Sequence, residues 1–250
     1  MSERQTPGVR RLATTLVVVP ALNEESAIAG VLKELAAACP DADVLVIDDG
    51  SSDGTAAQAT ALGVPVVRLP FNLGVGGAMR AGYRHALRHG YTAVVQVDAD
   101  GQHDAAYIPR LVAELATADL VIGARFAGEG EYSAGRGPRR WAMSLLAGVL
   151  SRLAGTRLTD TTSGFRAAGP RAIQLFAEHY PAEYLGDTVE STVIAVRSGY
   201  RVRQVPVAMR PRASGRASQS SLRATIYLFR AVVALGLALV RRWTPGSPAV

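Results

Sequence analysis

Cysteine is nearly missing from this chain: Cys39 stands alone among 250 residues. A single thiol excludes an internal disulfide framework and any metal site built from several cysteines. It fits a reduced, intracellular setting. Lysine is as scarce, with Lys33 against 26 arginines, a bias that a GC-rich genome explains without reference to function. Acidic residues stop at Glu190, whereas ten arginines follow it. No apolar run reaches the roughly 18 residues that a membrane-spanning helix needs. The closest approach, Ala224–Val240, is broken by Arg230. Leu12–Leu22 follows Arg10 and Arg11, but Thr14, Thr15 and Pro20 interrupt it and Asn23-Glu24-Glu25 ends it. It reads as a buried strand rather than a signal peptide.

What is present is enough for a folded core. Hydrophobic residues make up 48% and charged residues 19%, too apolar and too evenly mixed for a disordered chain. The length suits one large domain or two small ones. Residues 1–120 hold 9 basic and 14 acidic side chains, a net of −5; residues 121–250 hold 18 and 7, a net of +11. The second half therefore offers an anion-seeking surface for nucleic acid, anionic lipid or a phosphate-bearing substrate.

Strands and helices alternate. Thr15–Pro20 reads as a buried β-branched strand and Glu24–Cys39 as a helix with apolar spacing through Ile28, Val31, Leu32 and Leu35. Val44–Asp48 is a second strand, Thr55–Leu62 a short helix and Val64–Leu69 a third strand. Gly74–Arg88 is a helix, Ala93–Asp98 a strand, Ala105–Ala116 a helix and Leu120–Ala124 a fifth strand. This alternation predicts an α/β domain with a mostly parallel sheet, its ligands at the carboxyl edge. Phe126–Pro138 has four glycines and reads as a mobile loop. Further helices are expected over Arg140–Leu153, Pro170–Glu178 and Thr188–Arg197, a strand over Tyr200–Val207, and a last helix from Leu222 to about Arg242. Residues 1–13 read as a disordered tail, 14–215 as one domain, and 216–250 as a basic amphipathic helix and tail.

The sharpest local feature is Asp98-Ala99-Asp100-Gly101-Gln102. Two carboxylates two residues apart, just past a buried strand, suit a hard divalent cation such as Mg²⁺ or Mn²⁺; an acidic strand-end turn is the plainer alternative. Asp48-Asp49-Gly50-Ser51-Ser52-Asp53-Gly54-Thr55 places a carboxylate where a nucleobase N–H or ribose hydroxyl can donate to it, and Asp53 suits capping the next helix. Pro20-Ala21-Leu22-Asn23-Glu24-Glu25 ends the first strand, with acids also suited to a helix N-terminus. Three such loops at neighbouring strand ends point to one shared site. Asn72-Leu73-Gly74-Val75-Gly76-Gly77 lacks the dinucleotide spacing, since Met79 stands where a third glycine would, and reads as a tight turn letting a helix approach the sheet. His85 and His89 share one helix face without an evident third ligand, which suits a solvated face. Trp141, Leu145 and Val149, flanked by Arg139, Arg140 and Arg152, suit either core packing or a membrane-surface helix.

In this order, PALNEE, DDGSSDGT, NLGVGGA, DADGQH and DTTSGFR resemble the family-2 glycosyltransferases of the GT-A fold, most closely the polyprenyl-phosphate, dolichol-phosphate-mannose-synthase-like branch. The resemblance covers about residues 15–215. It implies a Rossmann-like sheet flanked by helices, a nucleotide-sugar donor, a divalent metal and inverting transfer. It implies nucleotide contacts from Pro20, Leu22, Glu24, Ile47, Asp49, Asp98 and Ala99, and metal ligation by Asp100 and Gln102. Arg125 would sit near the diphosphate. The family's late Arg-x-x-Gly-x-Ser-Lys segment is here Arg212-Ala213-Ser214-Gly215-Arg216-Ala217-Ser218, so phosphate contact falls to Arg212 and Arg216.

Charge then dictates mechanism. The diphosphate leaving group needs its growing negative charge neutralised, by metal and arginine. A lipid-phosphate acceptor is ionised near neutral pH and needs no base. A hydroxyl of a soluble or cell-envelope glycan needs one, with Asp187, Glu190 and Asp160 as candidates. Asp187 also suits a helix cap, and Asp160 a partner for Arg166. The expected partners are a nucleotide-sugar and a polyprenyl-phosphate acceptor, met on the cytoplasmic face of an anionic membrane by a peripheral enzyme. An integral membrane partner could add anchoring. A nucleic-acid module lacks its motif signatures here, and the strand-end acids would repel a polyanion. A catalytically silent sugar-nucleotide sensor is the non-enzyme alternative.

Overall fold

The computed structural model describes residues 14–125, 147–181 and 187–210. In chain order the strands are β1 (Thr15–Ala21), β2 (Asp43–Asp48), β3 (Val66–Arg68), β4 (Ala93–Gln96), β5 (Leu120–Ala124), β6 (Arg166–Ala168) and β7 (Val202–Pro206). The helices are α1 (Glu25–Ala38), α2 (Thr55–Ala61), α3 (Gly74–Arg88), α4 (Ile108–Glu114), α5 (described over 147–154), α6 (Pro170–His179) and α7 (Asp187–Arg197). They build one seven-stranded sheet in the order β3-β2-β1-β4-β6-β5-β7.

All seven residues of β1 are buried, as expected for a central parallel strand covered on both faces. The pleat sends Leu16 and Val18 into a core shared with Met79, Tyr83 and Phe176. Val17 and Val19 enter the opposite layer with Ile28, Leu35, Ile108 and Phe165. Helices α3 and α6 therefore lie on one face, and α1 and α4 on the other. Helix α3 approaches β1 closely at Gly82, where a Cβ would lie 2.6 Å from Val18 Cγ1.

The expected α/β sheet is present, with shorter ends for several elements. The helix expected over Ala105–Ala116 is a 3-10 turn, Ala105–Tyr107, followed by α4, because Pro109 favours a helix start at this point. Strand β6 was not foreseen. It runs antiparallel to both β4 and β5, while the other pairs are parallel. This inversion has a consequence for the site. The start of an antiparallel strand lies beside the ends of its parallel neighbours, so the Asp160–Phe165 loop joins the same sheet edge as the loops after β1, β2, β4, β5 and β7.

No helix among the described residues is long and apolar enough to cross a membrane. The tail expected over residues 1–13, the loop expected over 126–138, the helix expected over 222–242, and Trp141, Arg212 and Arg216 lie outside the described residues.

Candidate active site

The strand order reverses at β1. Strands β2 and β3 extend to one side of it and β4 lies on the other, which opens a crevice at the carboxyl ends, the usual ligand position in such sheets. Two loops clasp each other there. Asn23, in the left-handed region at φ 55°, accepts from the Ser52 N–H through Oδ1 at 2.9 Å. Its own N–H donates to Ser51 Oγ at 2.9 Å. The Glu24 N–H donates to Thr55 Oγ1, the Glu25 N–H to Asp53 Oδ2, and the Gly54 N–H to Glu25 Oε2. Asp53 also accepts from the Thr55 N–H at 3.0 Å, which satisfies an orphan donor at the start of α2.

Asp48 and Asp49 have different surroundings. Asp48 is fully enclosed and accepts from the Ser51 N–H (3.0 Å) and Arg68 Nε (2.9 Å). Asp49 is buried and accepts from the Leu73 N–H at 2.7 Å, tying the DDGSS turn to the Asn72–Gly74 turn. Burial pushes its carboxyl up, against the lowering effect of the Leu73 and Gly74 N–H groups. Pro20 and Ile47 are paired across β1 and β2. Ile47 is enclosed in the core, so its backbone is what reaches this edge. Leu22 and Glu24 are half-buried.

The Asp98–Gln102 turn leaves β4 through Val97, whose N–H still donates to Val18 O. Gly101 takes φ +77°, and the reversal lets the Gln102 N–H donate to Asp100 Oδ1 at 3.0 Å. Asp100 and Ala99 are buried, whereas the Asp98 side chain is 37% exposed. His103 accepts from the Asp98 N–H through Nδ1 at 3.0 Å. That hydrogen bond puts the proton of a neutral ring on Nε2, which lies 3.6 Å from Asp98 Oδ2. Its ring stacks on Phe165 at 4.8 Å. Gln96 Nε2 donates to Asp98 Oδ1 at 3.0 Å, and Gly164 lies against the same carboxylate, leaving no room for a side chain. Sequence reasoning missed Gln96 and Gly164; the glycine's position inside DTTSGFR was its only trace.

Asp100 and Gln102 offer hard oxygen donors on one tight turn, with Asp98 beside them, which suits Mg²⁺ or Mn²⁺. Among the described residues no three His, Cys, Asp or Glu side chains form a complete cage. Such a turn matches cations that complete their coordination with substrate phosphates. His85 and His89 stack on each other at 4.0 Å.

The remaining candidates form two groups. Arg125 holds Asp160 in a bidentate pair, Nε to Oδ2 at 2.7 Å and Nη2 to Oδ1 at 3.1 Å, and also donates to Thr162 Oγ1. The pairing expected between Asp160 and Arg166 is therefore not made. Arg166 is fully buried and donates instead to Ser163 O, Thr188 O and Ser191 Oγ. Asp187 opens α7 with 4% of its surface exposed, and its Oδ2 has no hydrogen-bond partner among the described residues. Burial pushes its carboxyl up to about 6, opposed by the Arg166 guanidinium and aided by Asp98. Glu190 lies one turn on, half-buried.

The family model for glycosyl transferase family 2 matches residues 16–175. The chain belongs to that family. Two relatives match along most of their length. The undecaprenyl-phosphate mannosyltransferase of Micrococcus luteus is 37% identical over 82% of this chain and 87% of its own. The polyprenol monophosphomannose synthase of Mycolicibacterium smegmatis is 32% identical over 88% and 86%. Among solved structures, glucosyl-3-phosphoglycerate synthase from Mycobacterium tuberculosis, crystallised with Mn²⁺, UDP and phosphoglyceric acid, superposes with a TM-score of 0.68. It is 23% identical, over 90% of this chain and 78% of that one. The fold shared with this family-2 chain is GT-A.

Proposed function

We propose that this chain is an inverting, metal-dependent glycosyltransferase that moves a sugar from a nucleoside-diphosphate sugar to a polyprenyl phosphate at a membrane surface. The observation that carries the reading is the likeness over more than four-fifths of the chain to two transferases whose names both specify a polyprenyl-phosphate mannosyl product. Mannose is therefore the first sugar to test.

The crevice between the β1, β2 and β4 loops receives the nucleoside, with Pro20, Leu22, Glu24, Ile47, Asp49, Asp98 and Ala99 around it. Asp100 and the Gln102 amide oxygen would hold Mg²⁺ or Mn²⁺, which supplies positive charge to the diphosphate as it leaves. Arg125, held by Asp160, stands at the end of β5 on the same edge, and Arg212 and Arg216 would add cations. The acceptor phosphate oxygen attacks the anomeric carbon from the face opposite the leaving group. The new C–O bond forms as the old one breaks, and its electron pair goes to the nucleoside diphosphate. An ionised phosphate needs no proton removed.

A second reading has one observation in its favour. The Asp187 oxygen without a hydrogen-bond partner among the described residues, on a carboxyl pushed up to about 6, matches what a general base near neutral pH requires. It would serve a hydroxyl acceptor, with Glu190 or Asp160 as substitutes. A screen of GDP- and UDP-sugars with Mg²⁺ or Mn²⁺ tests the proposal. It predicts donor consumption that rises on adding polyprenyl phosphate and stops in excess chelator. Undiminished turnover in chelator, or no donor consumed, counts against it.

A further inference from the structure

We propose that Arg210 is a positioning residue for the metal turn: it aims the Gln102 amide oxygen at the cation and anchors the start of the arginine-rich C-terminal segment at the same point. This rests on the assignment of Asp100 and Gln102 as metal ligands. After β7 the chain crosses to the Asp98–Gln102 turn. His103 and Met209 form an antiparallel bridge, and the Arg210 N–H donates to Gln102 O at 3.0 Å. In the other direction, Gln102 Nε2 donates to Arg210 O at 3.4 Å. An amide whose nitrogen is turned toward a carbonyl presents its oxygen elsewhere, and oxygen is the atom a hard cation takes.

The Arg210 side chain fixes this strap. Its guanidinium spans two carboxylates, Nη1 to Glu34 Oε2 at 2.6 Å and Nη2 to Asp104 Oδ1 at 3.2 Å. Both acids also hold backbone. Glu34 Oε1 accepts from the Ala105 N–H, and Asp104 Oδ1 from the Ala106 N–H. One arginine thus joins α1, the turn following the metal motif and the strand leading to Arg212, two residues further along the sequence. All three side chains are partly exposed, so the ion pairs add little to global stability. Their geometry is what counts.

The test is Mn²⁺ binding by calorimetry in the presence of GDP or UDP, alongside steady-state transfer. Arg210→Ala should weaken Mn²⁺ about 10- to 100-fold, the range for residues that orient a metal ligand, while the melting temperature stays within a few degrees. Arg210→Lys should fall between, since a point charge cannot span both acids. Gln102→Ala with Arg210→Ala should be no worse than Gln102→Ala alone, because the arginine acts through the glutamine. If Arg210→Ala fails to fold, Glu34→Gln gives the same readout with the Asp104 pair intact. Unchanged Mn²⁺ affinity in the arginine variants while Gln102→Ala weakens it, or additive losses in the double variant, would overturn the proposal. Unchanged affinity in Asp100→Ala and Gln102→Ala would instead overturn the metal assignment, and this inference with it.

Discussion

Asp100 is buried at a strand end, and its Oδ1 accepts the Gln102 N–H within the turn. Asp100→Ala removes an oxygen donor and little core volume. Transfer should be lost while the thermal unfolding curve stays nearly in place, and full activity of the variant would reject its role. Gly164 tests the same turn from outside. A Cβ there lies 2.9 and 3.1 Å from the two Asp98 oxygens and 3.0 Å from Gln96 Nε2. Gly164→Ala should displace Asp98 by a few tenths of an ångström and lower kcat/KM for the donor by about tenfold or more, since displacements of this order are costly at a reacting centre. Asp187 makes a prediction in pH. Its carboxyl is pushed up to about 6 in the folded chain, against about 3.9 in an unfolded one. Between those values the folded state binds more protons, so the stability contributed by this group is present below about pH 4 and lost as pH rises through 6. The stability of Asp187→Asn relative to wild type should therefore climb by roughly 2 kcal/mol from pH 4 to 7, read by urea unfolding at several pH values. Parallel curves would contradict the burial of this charge. With a lipid-phosphate acceptor the same variant should lose less than about tenfold in rate. A loss above about a hundredfold would mark Asp187 as a base, since base catalysis contributes ~10²–10⁴.

Between elements, α3 comes close to β1 at a single small residue, Gly82. Gly82→Val should force α3 away from Val18, cost about 1–3 kcal/mol by overpacking and lower the melting temperature; an unchanged melt would contradict the close approach. The elements themselves were largely legible in the sequence. Gly74–Arg88 and Leu120–Ala124 match α3 and β5 residue for residue, because a long amphipathic period and a short β-branched run between turns each permit one reading. Strand β6 was not legible. Three residues, Arg-Ala-Ala, carry no period, and a fully buried arginine runs against the expectation that charge lies outside. The site divides along the same line. The strand-end acids announce themselves by type and spacing. Of the groups around them, Gln96 lies two residues before Asp98, whereas Gly164, Glu34 and Arg210 come from distant parts of the chain; Gly164 arrives because β6 is inverted, and Arg210 because β7 leads back to the metal turn. Asp160 has two nearby arginines in the sequence, and only the sheet order selects Arg125.

At the scale of the molecule, charge is segregated: net −5 in residues 1–120 and +11 in 121–250. The acids gather at the site, and the arginines continue toward a C-terminus whose expected helix, Leu222–Arg242, would carry Arg223, Arg230 and Arg241 on one stripe. If that helix lies on a membrane, full-length protein should co-sediment with anionic liposomes and a 1–221 truncation should not, with binding weakened by salt, since each basic residue near such a surface contributes ~1 kcal/mol. Equal pelleting of both forms, or none at low salt, would exclude this helix as a membrane anchor. The acceptor decides which chemistry the site performs. The direct measurement is transfer of labelled mannose from a nucleoside-diphosphate donor, in the presence of Mn²⁺ or Mg²⁺, to polyprenyl phosphate, scored by extraction into organic solvent. An extractable sugar–phosphate lipid should form, and its formation should fail in chelator and in Asp100→Ala. Label found only on a water-soluble glycan, or lipid product formed equally well by Asp100→Ala, would contradict this.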